Sequence, residues 1–226
     1  KAIGKYEVRD DANSLQRVIT LGGDMRIFAG FGAIAKLDHW ENRYKIGNMG
    51  SQTRENYQAG LAYRPQDSDQ INALAKIAYV SDRNTQIAIP LRQDRYIFSV
   101  HSYWQIEKNI GLASRFATRY VLDDDAAFDE SISAQTYFFQ SRAEYAYTNE
   151  WSGILDARFI YMSPTSESAF GLAAEVDYLV YQNIQLGIGY ILKNYSDADF
   201  SFLDYQYHNL YFAVHAKFSE DIFNWR

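Results

Sequence analysis

The stretch Asn209-Leu210-Tyr211-Phe212-Ala213-Val214-His215-Ala216-Lys217-Phe218 decides the fold. Leu210, Phe212, Val214, Ala216 and Phe218 share one face, and Asn209, Tyr211, Ala213, His215 and Lys217 share the other. A period of two marks a β-strand with one apolar side. The two segments before it repeat the pattern. Ile184, Leu186, Ile188, Tyr190 and Leu192 alternate with Gln185, Gly187, Gly189, Ile191 and Lys193. Phe170, Leu172, Ala174, Val176, Tyr178 and Val180 alternate with Gly171, Ala173, Glu175, Asp177 and Leu179.

The pattern continues toward the N-terminus. Leu155, Ala157, Phe159 and Tyr161 oppose Asp156 and Arg158, and Tyr137, Phe139, Ala143 and Tyr145 oppose Gln140, Arg142 and Glu144. Phe116 and Tyr120 oppose Arg115 and Arg119, and Tyr96, Phe98 and Val100 oppose Arg95, Ser99 and His101. Ile71, Ala73, Ala75, Ile77 and Tyr79 oppose Asn72 and Lys76, while Tyr57, Ala59, Leu61 and Tyr63 oppose Gln58 and Arg64. Three weaker strands lie near 30–40, 16–26 and 2–10, with Lys36 and Asp38, Asp24 and Arg26, and Lys5, Glu7 and Arg9 on their polar faces. The reading predicts about twelve strands of about 9–14 residues and no helix. Pro65, Pro90 and Pro164 fall between strands, where a missing N–H breaks no ladder. Short connectors are expected near 27–29, 65–69, 105–109, 148–150 and 181–183. Longer ones are expected near 43–53, 83–93, 122–132, 163–167 and 196–206. Short turns at one rim and longer loops at the other describe an outer-membrane barrel, and an even strand count puts both termini on the periplasmic side.

The chain has 226 residues, with 19 Tyr, 14 Phe and 4 Trp but no Cys. Such aromatic content excludes disorder. The lack of cysteine excludes a disulfide scaffold and a thiolate metal site. A net charge of −6 argues against a nucleic-acid partner. Mean hydropathy is −0.37, and no apolar run is long enough for a transmembrane helix. A transmembrane barrel escapes that test, because its apolar band occupies alternate residues. The start Lys1-Ala2-Ile3-Gly4 carries no apolar leader, as expected of a mature or partial chain.

Alternation alone leaves open which face points outward. Strand length, the mixture of Gly and Ala with charge on the polar face, and aromatics at the short turns favour a membrane. Tyr63, Trp104, Tyr147, Trp151 and Tyr181 are the expected aromatic girdle. The expected fold is all-β: a closed antiparallel transmembrane β-barrel over residues 1–218, with a periplasmic tail at 219–226. It would sit in a bacterial outer membrane against lipid and lipopolysaccharide. The competing reading is a soluble β-barrel or sandwich that binds a ligand, its apolar face turned inward.

Two stretches carry a resemblance. One runs through Leu186-Gly187-Ile188-Gly189-Tyr190, Asn194 to Asp199, Leu203-Asp204-Tyr205 and the closing Ala216-Lys217-Phe218. The other is Gly60-Leu61-Ala62-Tyr63-Arg64-Pro65 with Asp67-Ser68-Asp69 and Asn72 to Lys76. Together they cover about a third of the chain and resemble the C-terminal outer-membrane barrels of large Gram-negative surface proteins. The resemblance implies a membrane anchor for a surface or periplasmic domain. It also implies that Phe218 is read by the barrel assembly machinery. Ser219 to Arg226 depart from the pattern, since such barrels often stop at the terminal aromatic.

The polar face would line the lumen. Its basic residues are Lys5, Arg9, Arg26, Lys36, Arg64, Lys76, Arg95, Arg115, Arg119, Arg142, Arg158, Lys193 and Lys217. Its acidic residues are Glu7, Asp24, Asp38, Glu144, Asp156, Glu175 and Asp177, which leaves a surplus of six positive charges. His101 and His215 share that face. One reading is a channel for small anionic solutes. The other is a lumen plugged by ion pairs such as Arg142 with Glu144 or Asp156 with Arg158. No enzyme is expected: His101 and Ser102 are adjacent and so face opposite ways, and no hydrolase or nucleotide motif occurs. No metal or cofactor is expected either. His208 and His215 fall on opposite faces, and the acidic stretches at 123–130 and 197–204 lack EF-hand spacing.

Overall fold

The computed structural model describes residues 1–45, 50–65, 68, 70–85, 91–125, 130–163, 165–181, 184–193 and 210–216. Twelve strands lie among them: β1 (Ala2–Asp10), β2 (Ser14–Phe28), β3 (Phe31–Tyr44), β4 (Ser51–Tyr63), β5 (Ile71–Asn84), β6 (Leu91–Glu107), β7 (Ile110–Asp125), β8 (Glu130–Ala146), β9 (Trp151–Ser163), β10 (Glu167–Tyr181), β11 (Ile184–Lys193) and β12 (Leu210–Ala216). They hydrogen-bond in chain order as one sheet, from β1 to β12. The pairs β1–β2, β2–β3, β3–β4, β4–β5, β10–β11 and β11–β12 are antiparallel.

Register turns the alternation into rows. Leu21, Leu37, Tyr57 and Tyr79 are ladder partners across β2 to β5, and Gly22, Lys36, Gln58 and Ala78 form the adjoining row on the opposite face. The turn between β2 and β3 is Ala29-Gly30, and Gly30 has φ 79°, a conformation that suits a residue without Cβ.

The strands extend further than the sequence predicts, up to 17 residues in β6 and β8. Strands β3 to β8 reach into the stretches expected as long connectors at 43–53, 83–93 and 122–132. Asp123, Asp124 and Asp125, expected in a loop, belong to β7. β7 is hydrogen-bonded between β6 and β8, and sheet pairing outweighs the poor strand propensity of aspartate.

By packing, the chain divides into two units. One comprises Lys1–Ser102, Arg115–Phe138 and Tyr161–Glu167; the other comprises Tyr103–Ser114, Phe139–Ile160 and Ser168–Arg226. In the first, β1 is open on both faces, and Ile3, Leu21 and Lys36 are all exposed. Among the described residues, its buried apolar side chains are Val80, Ala117 and Phe138. In the second, burial on β9 and β10 is inverted. Asp156, Arg158, Glu175 and Asp177 retain only 4, 6, 9 and 2 % exposure, while Leu155, Phe159, Val176, Tyr178 and Val180 are exposed.

Candidate functional site

Among the described residues, several polar side chains find partners on their own strand or the next. Arg158 Nε donates to Asp156 Oδ1 at 2.6 Å, and Gln140 Nε2 donates to Asp156 Oδ2 at 2.7 Å. Arg142 Nε donates to Glu144 Oε1 at 2.9 Å, and Lys36 Nζ lies 2.7 Å from Asp38 Oδ2. Residues two apart on a strand share a face, so opposite charges there meet without crossing the sheet. Arg95 pairs with Asp82 on β5, and Arg119 Nη2 donates to Thr136 Oγ1 at 3.1 Å. The Arg115 guanidinium stands 5.6 Å over the Phe138 ring. His101 lies near enough to Arg115 and Lys76 to feel the charge of each. Arg64 lies just past β4, where its backbone N–H donates to the Gly30 carbonyl at 2.7 Å.

A compact polar group sits on β10 to β12. Glu175 and Asp177 are ladder partners of Gly189 and Gly187. On the far side of β11, Gly187 pairs with Ala213, Gly189 with Tyr211, and Gln185 with His215. The two glycines place no side chain between β10 and β12, so groups two strands apart meet above β11. His215 Nε2 is 2.6 Å from Glu175 Oε1 and 3.8 Å from Asp177 Oδ1. The Tyr211 hydroxyl donates to Glu175 Oε2 at 2.6 Å. A Cβ at position 187 would clash with Asp177 Oδ1 and stand 2.8 Å from Glu175 Oε1; one at 189 would clash with the Tyr211 ring. Among the described residues, Glu175, Asp177 and His215 bring three donor atoms within 4.8 Å of one another, as a shared cation requires. Reading strand by strand missed this group, because it treats each residue as one more position on a polar face. The signal was present as Gly187-x-Gly189 beside Glu175-x-Asp177.

The apolar face carries ring contacts at both ends. Near the short turns, Trp151 lies 4.7 Å from Tyr178, Tyr145 lies 4.8 Å from Tyr147, and Tyr63 lies 4.6 Å from Phe31. Trp104 and Tyr181 are exposed. A second row, not anticipated, joins Tyr57, Tyr79, Tyr96 and Tyr120 on β4 to β7 at 6.0, 5.1 and 6.5 Å. Beyond it the same face turns polar: His39 Nδ1 is 3.5 Å from Glu55 Oε1, and the Tyr79 hydroxyl donates to Asp94 Oδ1 at 3.0 Å. The Lys193 side chain, Lys217, Phe218, His208, the acidic stretch at 197–204 and residues 219–226 lie outside the described residues.

These features define an antiparallel sheet protein in which β9 and β10 pack their polar face and leave their apolar face bare. No protein-family model matches the chain, and no curated protein matches it. Among solved structures, the NanC porin is similar with 12% identity and a TM-score of 0.46, over 96% of this chain and 98% of that one. The siderophore receptor PiuA from Acinetobacter baumannii is similar with 8% identity and a TM-score of 0.45, over 84% of this chain and 48% of that one.

Proposed function

We propose that the chain is a transmembrane β-barrel of a bacterial outer membrane, closed by pairing of β1 with β12, and that it anchors a larger surface or periplasm-spanning protein. The observation that carries this reading is the inverted burial on β9 and β10. In water a continuous exposed apolar band is a liability, whereas in a bilayer it is the favoured surface.

The anchor is preferred to the channel because Asp156 and Arg158, both buried on the polar face, are engaged with each other. Asp156 alone joins β8 to β9 through Gln140 and holds Arg158. A face so cross-linked braces a wall. The channel for small anionic solutes is favoured by the two cations, Arg115 and Lys76, near His101 on the polar face. Planar-bilayer recording of the purified chain separates the two. A closed, non-conducting barrel is expected. Anion-selective conductance that weakens in Arg115→Ala and Arg119→Ala would displace the anchor reading. Recovery of a monodisperse, folded chain without detergent would displace both in favour of the soluble binder.

A further inference from the structure

We infer that Glu175, Asp177 and His215 form a binding site for one divalent transition-metal ion, with zinc as its ligand of choice. Two carboxylate oxygens and an imidazole nitrogen are a donor set that suits zinc. The independent sign of a missing ligand is Asp177. It is 2 % exposed, and its Oδ1 accepts no hydrogen bond although it points toward His215. A buried carboxylate oxygen without a donor is unfavourable, and a cation supplies the absent partner. The charges also balance, because Glu175 and Asp177 together neutralise a divalent ion while His215 binds as neutral imidazole. Arg142, the arginine near enough to act on Asp177, already donates to Glu144.

The surroundings fit the role. The Tyr211 hydroxyl holds the far oxygen of Glu175 and so orients the near one, as outer partners of metal ligands do. The His215 side chain is 43 % exposed, which leaves a path for the ion and a place for a water ligand. Gly187 and Gly189 clear the space that the carboxylates and the tyrosine ring occupy. The ion would tie β12 to β10 across β11, at the point where β11 contributes no side chain on that face.

The test uses the full chain folded in detergent micelles, stripped with a chelator and titrated with zinc by calorimetry. One ion per chain is expected, with a higher unfolding temperature when zinc is bound. Asp177→Asn and His215→Ala should each weaken zinc binding at least about tenfold. Gly187→Ala removes no ligand but places a methyl group in clash with Asp177 Oδ1, and it should weaken binding as well. Asp124→Asn, in the acidic run of β7, should leave it unchanged. Absence of saturable binding, or affinity unchanged in Asp177→Asn and His215→Ala, overturns the proposal. Cobalt bound to the unmodified chain gives a further readout that needs no variant to fold. Strong visible absorption of a four- or five-coordinate ion is expected, and the weak spectrum of the hydrated ion overturns the assignment.

Discussion

Asp156 accepts hydrogen bonds from two side chains, one on its own strand and one on β8, and is almost fully buried. Removing its carboxylate leaves Arg158 buried beside a hole. Asp156→Ala is therefore expected to destabilise the fold by about 3–5 kcal/mol, measured by denaturant unfolding in micelles. At the other end of the chain, Asp11 caps the turn between β1 and β2. Its carboxylate accepts the backbone N–H groups of Asn13 and Ser14 at 2.8 and 2.6 Å and the Ser14 hydroxyl at 3.1 Å. These bonds, the Asn13 N–H foremost, hold the Asp11 carboxyl below its ordinary range. A lowered value means stability that is present above the ordinary carboxylate pKa and lost as pH falls through the lowered one. Protection of the Asn13 and Ser14 amides against hydrogen exchange, relative to their intrinsic rates, should fall over that acidic window, and Asp11→Ala should remove that change.

At the scale of the element, β9 discriminates between membrane and water. Leu155 lies on its apolar face, four residues from Trp151, and is 50 % exposed. In a bilayer, Leu155→Arg should cost about 2–4 kcal/mol, because the guanidinium enters hydrocarbon. In a soluble barrel with that exposure, the same change should stay within about 0.5 kcal/mol. Reversible unfolding into lipid vesicles reads the difference. The strands themselves run past the Tyr57–Tyr79–Tyr96–Tyr120 row, and the apolar face becomes polar there, at His39, Glu55 and Asp94.

For the whole molecule, the proposed closure joins β1 to β12, the two ends of the strand order. The chain contains no cysteine, so a pair can be introduced on a clean background. A scan pairing cysteines at Gly4, Tyr6 or Val8 with cysteines at Phe212 or Val214 should give at least one efficient disulfide, seen as a shifted band on a non-reducing gel. Disulfides need Cα atoms within about 7 Å, so an open sheet forms none. Loss of all cross-links while the variants remain folded would argue against closure.

Period-two alternation, with prolines kept outside it, was enough to predict an all-β chain of twelve strands and to sort most residues onto two faces. That information is local, since neighbouring side chains on a strand must point opposite ways. The pairing of Arg142 with Glu144 and of Asp156 with Arg158 was legible for the same reason, being two residues apart on one strand. Strand ends were not legible, because ladder bonds to neighbouring strands carried Asp123 to Asp125 into β7 against their own preference. The meeting of Glu175, Asp177, Tyr211 and His215 was decided only by the tertiary structure. It depends on the registers of β10 with β11 and β11 with β12, and on the gap that Gly187 and Gly189 leave between them. Register between strands follows from contacts distant in sequence, and no spacing within a single strand encodes it.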